Sequence, residues 1–133
     1  MEPPTLVTND FPYELKQFLA LHIESLAQLE TLLVFQRDPE RQWIAHELAR
    51  ELYITADMCR GICADLVNRR LIVPGDSLDR YRYAPADPSV DKLVGQLAQF
   101  YRERRVAVIT AIYSGPVNKV QTFADAFRLR GEE

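Results

Sequence analysis

A change of hydrophobic periodicity in the middle of the chain limits the possible folds more than any other feature. Up to Asn68 the apolar residues recur at helical spacing, and between Arg70 and Pro85 they do not. Arg80-Tyr81-Arg82-Tyr83 alternates with a period of two, as a half-buried strand does. The apolar run Leu71-Ile72-Val73 precedes it, and the intervening Pro74-Gly75-Asp76-Ser77 is typical of a turn. The pattern therefore predicts one β-hairpin in an otherwise helical chain.

Helices are predicted on the N-terminal side of the hairpin. Asp10 is a candidate N-cap for the first, because Pro12 just inside a helix start is favourable. Ser25 and Gln28 have capping-box spacing for the second, which Pro39 should end. The third is predicted to begin near Pro39, and its expected inward residues are Trp43, Ile44, Leu48 and Leu52.

A further helix should begin at Thr55, a favourable N-cap, with Asp57 in the first turn where a negative charge is stabilising. Its predicted inward stripe comprises Cys59, Ile62, Cys63 and Leu66. Both cysteines are expected to be reduced core thiols. A metal site of His46, Cys59 and Cys63 is conceivable, but structural zinc usually has four ligands, so we predict no metal and no cofactor.

After the hairpin the sequence predicts a long helix over 90–113, capped by Asp87 or Ser89, and a last amphipathic helix that carries Phe123 and Phe127. The apolar stripe of the long helix exceeds what a core of this size can bury. Residues 88–130 are therefore predicted to form a homodimer interface, with packing inside the chain as the alternative. Residues 1–9 are expected to be a loose tail.

The chain length of 133 residues fits a single domain, and the composition restricts its partners. A formal net charge of −3 does not suit a general nucleic-acid coat. The acidic excess lies in residues 1–51 and the basic excess in residues 102–133, so a polyanion should prefer the middle or the C-terminal part. Without a signal-peptide pattern or an apolar run of membrane length, we expect a cytoplasmic protein with no membrane partner.

The order of helix, helix, short turn, helix and hairpin resembles a winged helix-turn-helix. The segment 44–52 resembles its first helix, Ile54 and Thr55 its turn, and 56–70 its recognition helix, while 71–73 and 81–85 resemble its wing. The resemblance covers residues 26–85 and suggests the MarR/ArsR-like branch of bacterial regulators. Residues 101–109 and 123–128 are also similar to small uncharacterised proteobacterial winged-helix proteins. The implied fold is mainly α with a small β-wing and with extra N-terminal and long C-terminal helices.

This resemblance implies a dimeric DNA-binding transcriptional regulator. Arg60 and Asn68 would read bases in double-stranded DNA, and Arg80, Arg82 and Arg69 or Arg70 would hold phosphates. Ordinary alternatives remain open: a solvated arginine face on the wing, and a favourable interaction of Arg69 or Arg70 with the C-terminus of its helix. The cluster of Arg102, Arg104 and Arg105 is expected to be a solvated face rather than an anion site.

Two features depart from a typical DNA reader. Tyr53 stands in the turn where glycine is common, and the predicted recognition face is small or acidic apart from Arg60 and Asn68. Gly61 and Ala64 would admit either a phosphate backbone or another protein helix, so a protein-docking module is the alternative function. A ligand-sensing pocket between the long helix and the helix-turn-helix is a third hypothesis. No catalytic motif is recognised, and we predict that the protein is not an enzyme.

Overall fold

A computed structural model describes residues 11–114 of the chain, which divides into two compact units. The winged-helix unit comprises residues 26–95, and the terminal-helix unit comprises, of the described residues, 11–25 and 96–114. The helices are α1 (Tyr13–His22), α2 (Leu26–Arg37), α3 (Ala45–Leu52), α4 (Ala56–Asn68), α5 (Pro88–Glu103) and α6 (Arg105–Ser114). The strands are β1 (Gln42–Ile44), β2 (Ile72–Pro74) and β3 (Arg80–Tyr83).

The three strands form one antiparallel sheet in the order β1-β3-β2. In β1 the residue Trp43 lies opposite Tyr81, and in β2 the residue Ile72 lies opposite Tyr83. Helix α2 precedes β1, the α3–α4 pair follows it, and the β2–β3 hairpin completes the unit. This is a winged helix. The predicted fold class is therefore confirmed, with additional helices at both ends of the core.

The prediction of a helix starting near Pro39 was wrong for its first part. Residues Gln42–Ile44 form β1, and the helix begins only at Ala45, so the sheet has three strands rather than the expected two. Trp43 is buried in the strand as expected, but Ile44 is only half-buried. A strand of three residues is too short to show an alternating pattern in the sequence. Trp43 and Ile44 have helical spacing to Leu48 and Leu52, but pairing with β3 decides their conformation instead.

Helix α4 begins and packs as its sequence predicts. The Thr55 hydroxyl accepts a hydrogen bond from the Met58 backbone N–H at 3.1 Å, which satisfies one of the unpaired donors of the first turn. Cys59, Cys63 and Leu66 are fully buried, whereas Ile62 is only half-buried. The buried stripe is therefore narrower than predicted and faces a core that includes Leu29, Leu32, Phe35 and Leu48.

Helices α3 and α4 both end in a left-handed residue that is not glycine. After α3, Tyr53 has φ 60°, and the N–H groups of Tyr53 and Ile54 bond back to the carbonyls of Arg50 and Ala49. After α4, Arg70 has φ 64° and the same pattern of returning bonds. Glycine is usual at this position because side chains crowd the backbone there. Tyr53 and Arg70 are thus held in conformations that cost free energy.

The wing turn is fastened to β1 by one side chain. The Gln42 amide donates to the Asp76 carboxylate at 3.0 Å and accepts from the Asp76 backbone N–H at 2.9 Å. Gly75 fits beneath this pair, because a Cβ there would lie 2.5 Å from Gln42 Oε1. The strand predicted at 71–73 lies one residue later, at Ile72–Pro74, and β3 has the predicted bounds.

The terminal-helix unit includes α1, whose Leu15, Phe18 and Leu19 are buried. The predicted continuous helix over 90–113 was wrong: Arg104 interrupts it, and α5 itself starts earlier, at Pro88. Asp87 caps α5 by accepting from the Ser89 backbone N–H at 2.9 Å, which decides between the two predicted caps. The predicted cap Asp10, the tail over 1–9 and the last helix with Phe123 and Phe127 lie outside the described residues.

Candidate nucleic-acid interface

Helix α4 has one open face that carries two of the predicted site residues. Arg60 and Asn68 are exposed on it, and Gly61 and Ala64 lie between them. A Cβ built on Gly61 meets nothing within 4 Å, so neither packing nor a positive φ requires glycine at this position. The face is therefore shallow and unobstructed, and a partner could approach the helix backbone closely.

Arg60 is held from two sides by carboxylates. Its Nε donates to Asp79 at the base of β3, with distances of 3.1 and 3.3 Å to the two oxygens. Its Nη1 donates to Asp57 Oδ1 at 2.9 Å. The hydrogen bond and the charge of Asp79 raise the pKa of Arg60. A guanidinium has five N–H donors, so three of them have no acceptor within residues 11–114 and are open to solvent.

Arg69 is engaged inside the fold. Its Nε donates to Asp65 Oδ2 at 3.0 Å, and the side chain is only 18% exposed. The buried Gln28 amide donates to the same Asp65 oxygen, which ties α2 to α4. Breaking such an arrangement would leave a half-buried carboxylate uncompensated. The geometry therefore gives Arg69 a structural role and leaves Arg70 as the phosphate candidate of the two.

Arg70 lies just after the end of α4, and Arg80 and Arg82 lie on strand β3 of the wing. Arg70 is exposed in its left-handed conformation, and its carbonyl accepts from the Ala86 N–H at 3.0 Å. Arg80 is half-exposed and its Nε donates to Ser77 Oγ at 3.0 Å. Arg82 is exposed at the centre of β3. Alternation along the strand puts Arg80 and Arg82 on the face opposite to buried Tyr83, as predicted.

Asp79 is the site residue that the sequence reasoning missed. No role was predicted for it, whereas it joins the wing to Arg60 and its carbonyl accepts from the Ala45 N–H at 2.9 Å. The Asp57–Arg60 contact could have been found from its i, i+3 spacing on a helix. The Asp79 contact crosses 19 positions of sequence, and no local pattern announces it.

The two thiols are part of the core. Cys59 and Cys63 are buried and not linked by a disulfide. A hydrogen bond donated to Cys59, together with burial, raises the pKa of Cys63 and keeps that thiol protonated. His46 is exposed on α3, and no cluster of three or more candidate ligands for a metal occurs within residues 11–114. Within residues 11–114 no single helix is long and apolar enough to cross a membrane. Only α1 and α2 counted together, as a pair with a sharp bend between them, have that length and apolarity.

A depression of about 590 Å³ lies where the hypothesis of a ligand-sensing pocket expects one, between the start of α5 and the winged-helix core. Its rim includes Gln36, and the Tyr83 hydroxyl donates to Asp91 Oδ1 at 2.7 Å beside it. Burial and the hydrogen bond to Asp91 raise the pKa of Tyr83 far above its ordinary value. The volume suits a small molecule, and ligand sensing stays a prediction.

No protein-family model matches this sequence, and no curated protein matches it either. Among solved structures, the chain is similar to the crystal structure of MepR, a transcription regulator of the Staphylococcus aureus multidrug efflux pump MepA. The identity is 16%, the alignment covers 98% of each chain, and the TM-score is 0.49. The winged-helix assignment rests on the helix order and strand order of this chain itself.

Proposed function

We propose that this protein is a winged-helix transcriptional regulator that binds double-stranded DNA and acts without catalysis. The observation that carries the proposal is the state of Arg60, which two carboxylates orient on the open face of α4 and which keeps three unused N–H donors. A helix of this kind fits the major groove, where an oriented guanidinium can donate to guanine O6 and N7. Arg70, Arg80 and Arg82 are the proposed phosphate contacts.

The strained conformation of Arg70 supports its place in this set. A long cation in a left-handed conformation persists where the surrounding structure imposes it, and such positions concentrate at functional sites. Asn68, exposed on the same face of α4 as Arg60, is the second proposed base contact. Its amide can both donate to and accept from an adenine edge.

Homodimer formation through the terminal-helix unit is the second part of the proposal. On α6 the side chain of Val106 is 76% exposed, and Tyr13 on α1 and Tyr113 on α6 are also largely exposed. Exposed apolar side chains on neighbouring helices of one unit are typical of a partner surface. A twofold dimer would present two α4 helices to successive major grooves.

A protein-docking role is the alternative, and Met58 favours it. This side chain is 49% exposed on α4, next to a face of small residues and the acidic Asp57. Methionine is common at protein surfaces that accept another helix. In that case the open Gly61 would admit a protein backbone rather than a groove of DNA.

Fluorescence anisotropy on labelled duplexes tests the proposal, with salt varied from low to physiological. Three phosphate-contacting arginines per protomer, and so six per dimer, predict that the logarithm of the binding constant falls with log salt with a slope of about −5.4. Arg82→Ala should weaken binding equally on all sequences, whereas Arg60→Ala should reduce discrimination between a selected site and its single-base variants. Arg102→Ala removes an exposed arginine that is not assigned to DNA and is the matched control; with the mass of the dimer unchanged in light scattering, it should bind as wild type.

Each result has a distinct meaning. No binding to any duplex at low salt would reject the DNA proposal and favour docking of a protein on α4. Equal losses on all sequences for both Arg82→Ala and Arg60→Ala would reject base reading by Arg60. For the dimer, Val106→Glu should give the monomer mass in light scattering, and an unchanged mass of two chains would remove α6 from the interface.

A further inference from the structure

A depression of about 360 Å³ lies beside α3 in the winged-helix unit, and none of the residues assigned above to DNA lines it. Its volume is within the range of small-ligand sites. Two arginines, two glutamates and two aromatic side chains line it: Arg41, Trp43, Glu47, Arg50, Glu51 and Tyr53. The mixture of cations and aromatic hydroxyl and indole groups offers several hydrogen-bond donors to one small volume.

One of the two arginines at this depression has no acidic partner within residues 11–114. Glu47 lies 3.9 Å from Arg41, and Glu51 lies 3.6 Å from Arg37 outside the depression. Each carboxylate therefore has its own cation. Arg50 is exposed and has no acidic partner within residues 11–114, so its guanidinium is left to face solvent or a ligand. A guanidinium fork matches the geometry of a carboxylate or a phosphate.

Trp43 contributes an unsatisfied donor. Its side chain is buried, and its Nε1 makes no hydrogen bond within the described residues. Buried donors without a partner are uncommon in folded proteins. The Arg41 guanidinium lies 3.6 Å from the centre of the indole ring and its side chain is 46% exposed. The indole N–H is covered in this structure, so an anion can reach it only after side chains around the depression move, among them the exposed Arg41.

Tyr53 gives an independent sign of function. It is 95% exposed, so no packing within residues 11–114 requires the phenol ring. It also occupies a left-handed position that glycine would fill without strain. An exposed aromatic side chain retained in a strained backbone conformation points to a role outside folding.

We propose that this depression is an oxyanion site, in which Arg50, the Trp43 indole N–H and the Tyr53 hydroxyl bind a phosphate or carboxylate group. The anion completes the hydrogen bonding of the buried indole and neutralises Arg50. The group can belong to a free small molecule or to the backbone of bound DNA. Only the second source depends on the function proposed above.

Trp43 is the sole tryptophan of the chain, so it reports on the site alone. In a nitrogen-15 proton correlation spectrum of the full chain, its indole N–H gives one resonance. Inorganic phosphate or acetate, added at constant ionic strength against chloride, should shift this resonance downfield and saturably. Arg50→Gln should raise the apparent dissociation constant about tenfold or more, as expected for losing a charged hydrogen bond. Arg102→Gln, which removes an exposed guanidinium elsewhere, should leave it unchanged.

Tyr53→Gly tests the third donor without straining the backbone, and it should weaken anion binding while the protein stays folded. Titration with duplex DNA distinguishes the two sources. A shift with duplex but not with free anions, absent in Arg50→Gln, would identify a DNA phosphate as the occupant.

Two results would overturn the site: no shift of the Trp43 resonance with anions or with DNA, and a shift that Arg50→Gln retains in full. Anisotropy on the same samples separates this proposal from the previous one. DNA bound without a change at Trp43 rejects the oxyanion site and keeps the regulator. A saturable shift with phosphate in a protein that does not bind DNA keeps the oxyanion site and rejects the regulator.

Discussion

Replacing Gly61 by alanine should make the protein more stable and a poorer DNA binder. Gly61 lies in the interior of α4, where glycine is about 0.8–1.0 kcal/mol less favourable than alanine. The new Cβ meets nothing within 4 Å, so no steric cost offsets this gain. For a domain of this size, about 1 kcal/mol corresponds to a rise in Tm of about 4 °C. In the complex the same methyl group would stand where the partner approaches most closely, and overpacking typically costs about 1–3 kcal/mol.

Thermal unfolding followed by circular dichroism measures the first effect, and anisotropy with a duplex measures the second, an expected loss of about fivefold or more in affinity. Gly95→Ala is the matched control. Gly95 is a helical glycine of α5 whose added Cβ would only touch Gln36 at 3.9 Å, so it should stabilise without changing DNA affinity. Wild-type affinity for the Gly61 variant would refute close approach to α4. Affinity lost equally in both variants would show that helix stiffening, and not the open face, controls binding.

Three further variants test the support of the site. Asp79→Asn keeps a residue that tolerates φ 67° but removes the negative charge beside Arg60. The affinity for non-specific DNA should therefore rise, and discrimination between bases should fall. Unchanged discrimination in anisotropy would show that Asp79 does not orient Arg60. Thr55→Ala should lower the free energy of unfolding by about 1 kcal/mol through loss of the N-cap, measured in urea; no change would deny the cap any energetic role. Gly75→Ala should destabilise the wing because its Cβ collides with the Gln42 amide, and Gln42→Ala should restore part of the Tm; a Gly75 variant as stable as wild type would contradict that packing.

The sequence predicted those parts of the fold that depend on local chemistry. The Thr55 cap, the burial of Cys59, Cys63 and Leu66 on α4, and the bounds of β3 follow from capping, periodicity and alternation, and all are present. Strand β1 could not be predicted, because Trp43 and Ile44 become a strand only through pairing with β3, which lies almost forty positions later. The interruption at Arg104 has no proline or glycine to announce it, and we have no local sequence account of it.

Of the candidate site, the sequence predicted the positions but not the partners. Arg60 and Asn68 are exposed on α4, as the position of the inward stripe requires. That Arg69 binds Asp65, and that Arg60 is held by Asp79, depends on distances across the fold. The sequence showed that Tyr53 occupies the turn position where glycine is common. Its meaning required the neighbouring Trp43 and Arg50, which only the folded chain brings beside it.

The acidic character of the protein is consistent with a regulator that relies on selectivity more than on charge. Asp57 and Asp79 reduce the attraction of Arg60 for any phosphate, because they already neutralise it. They do not block its three remaining donors, which only a correctly placed pair of acceptors can use. Specificity is a difference between affinities, and weakening the non-specific term increases that difference as surely as strengthening the specific one. Each protomer would then bind weakly by itself, and joining two faces in one dimer would raise the affinity through effective concentration without any new contact. A monomeric Val106→Glu variant should therefore lose far more than half of the binding, although none of its DNA-contacting residues has changed.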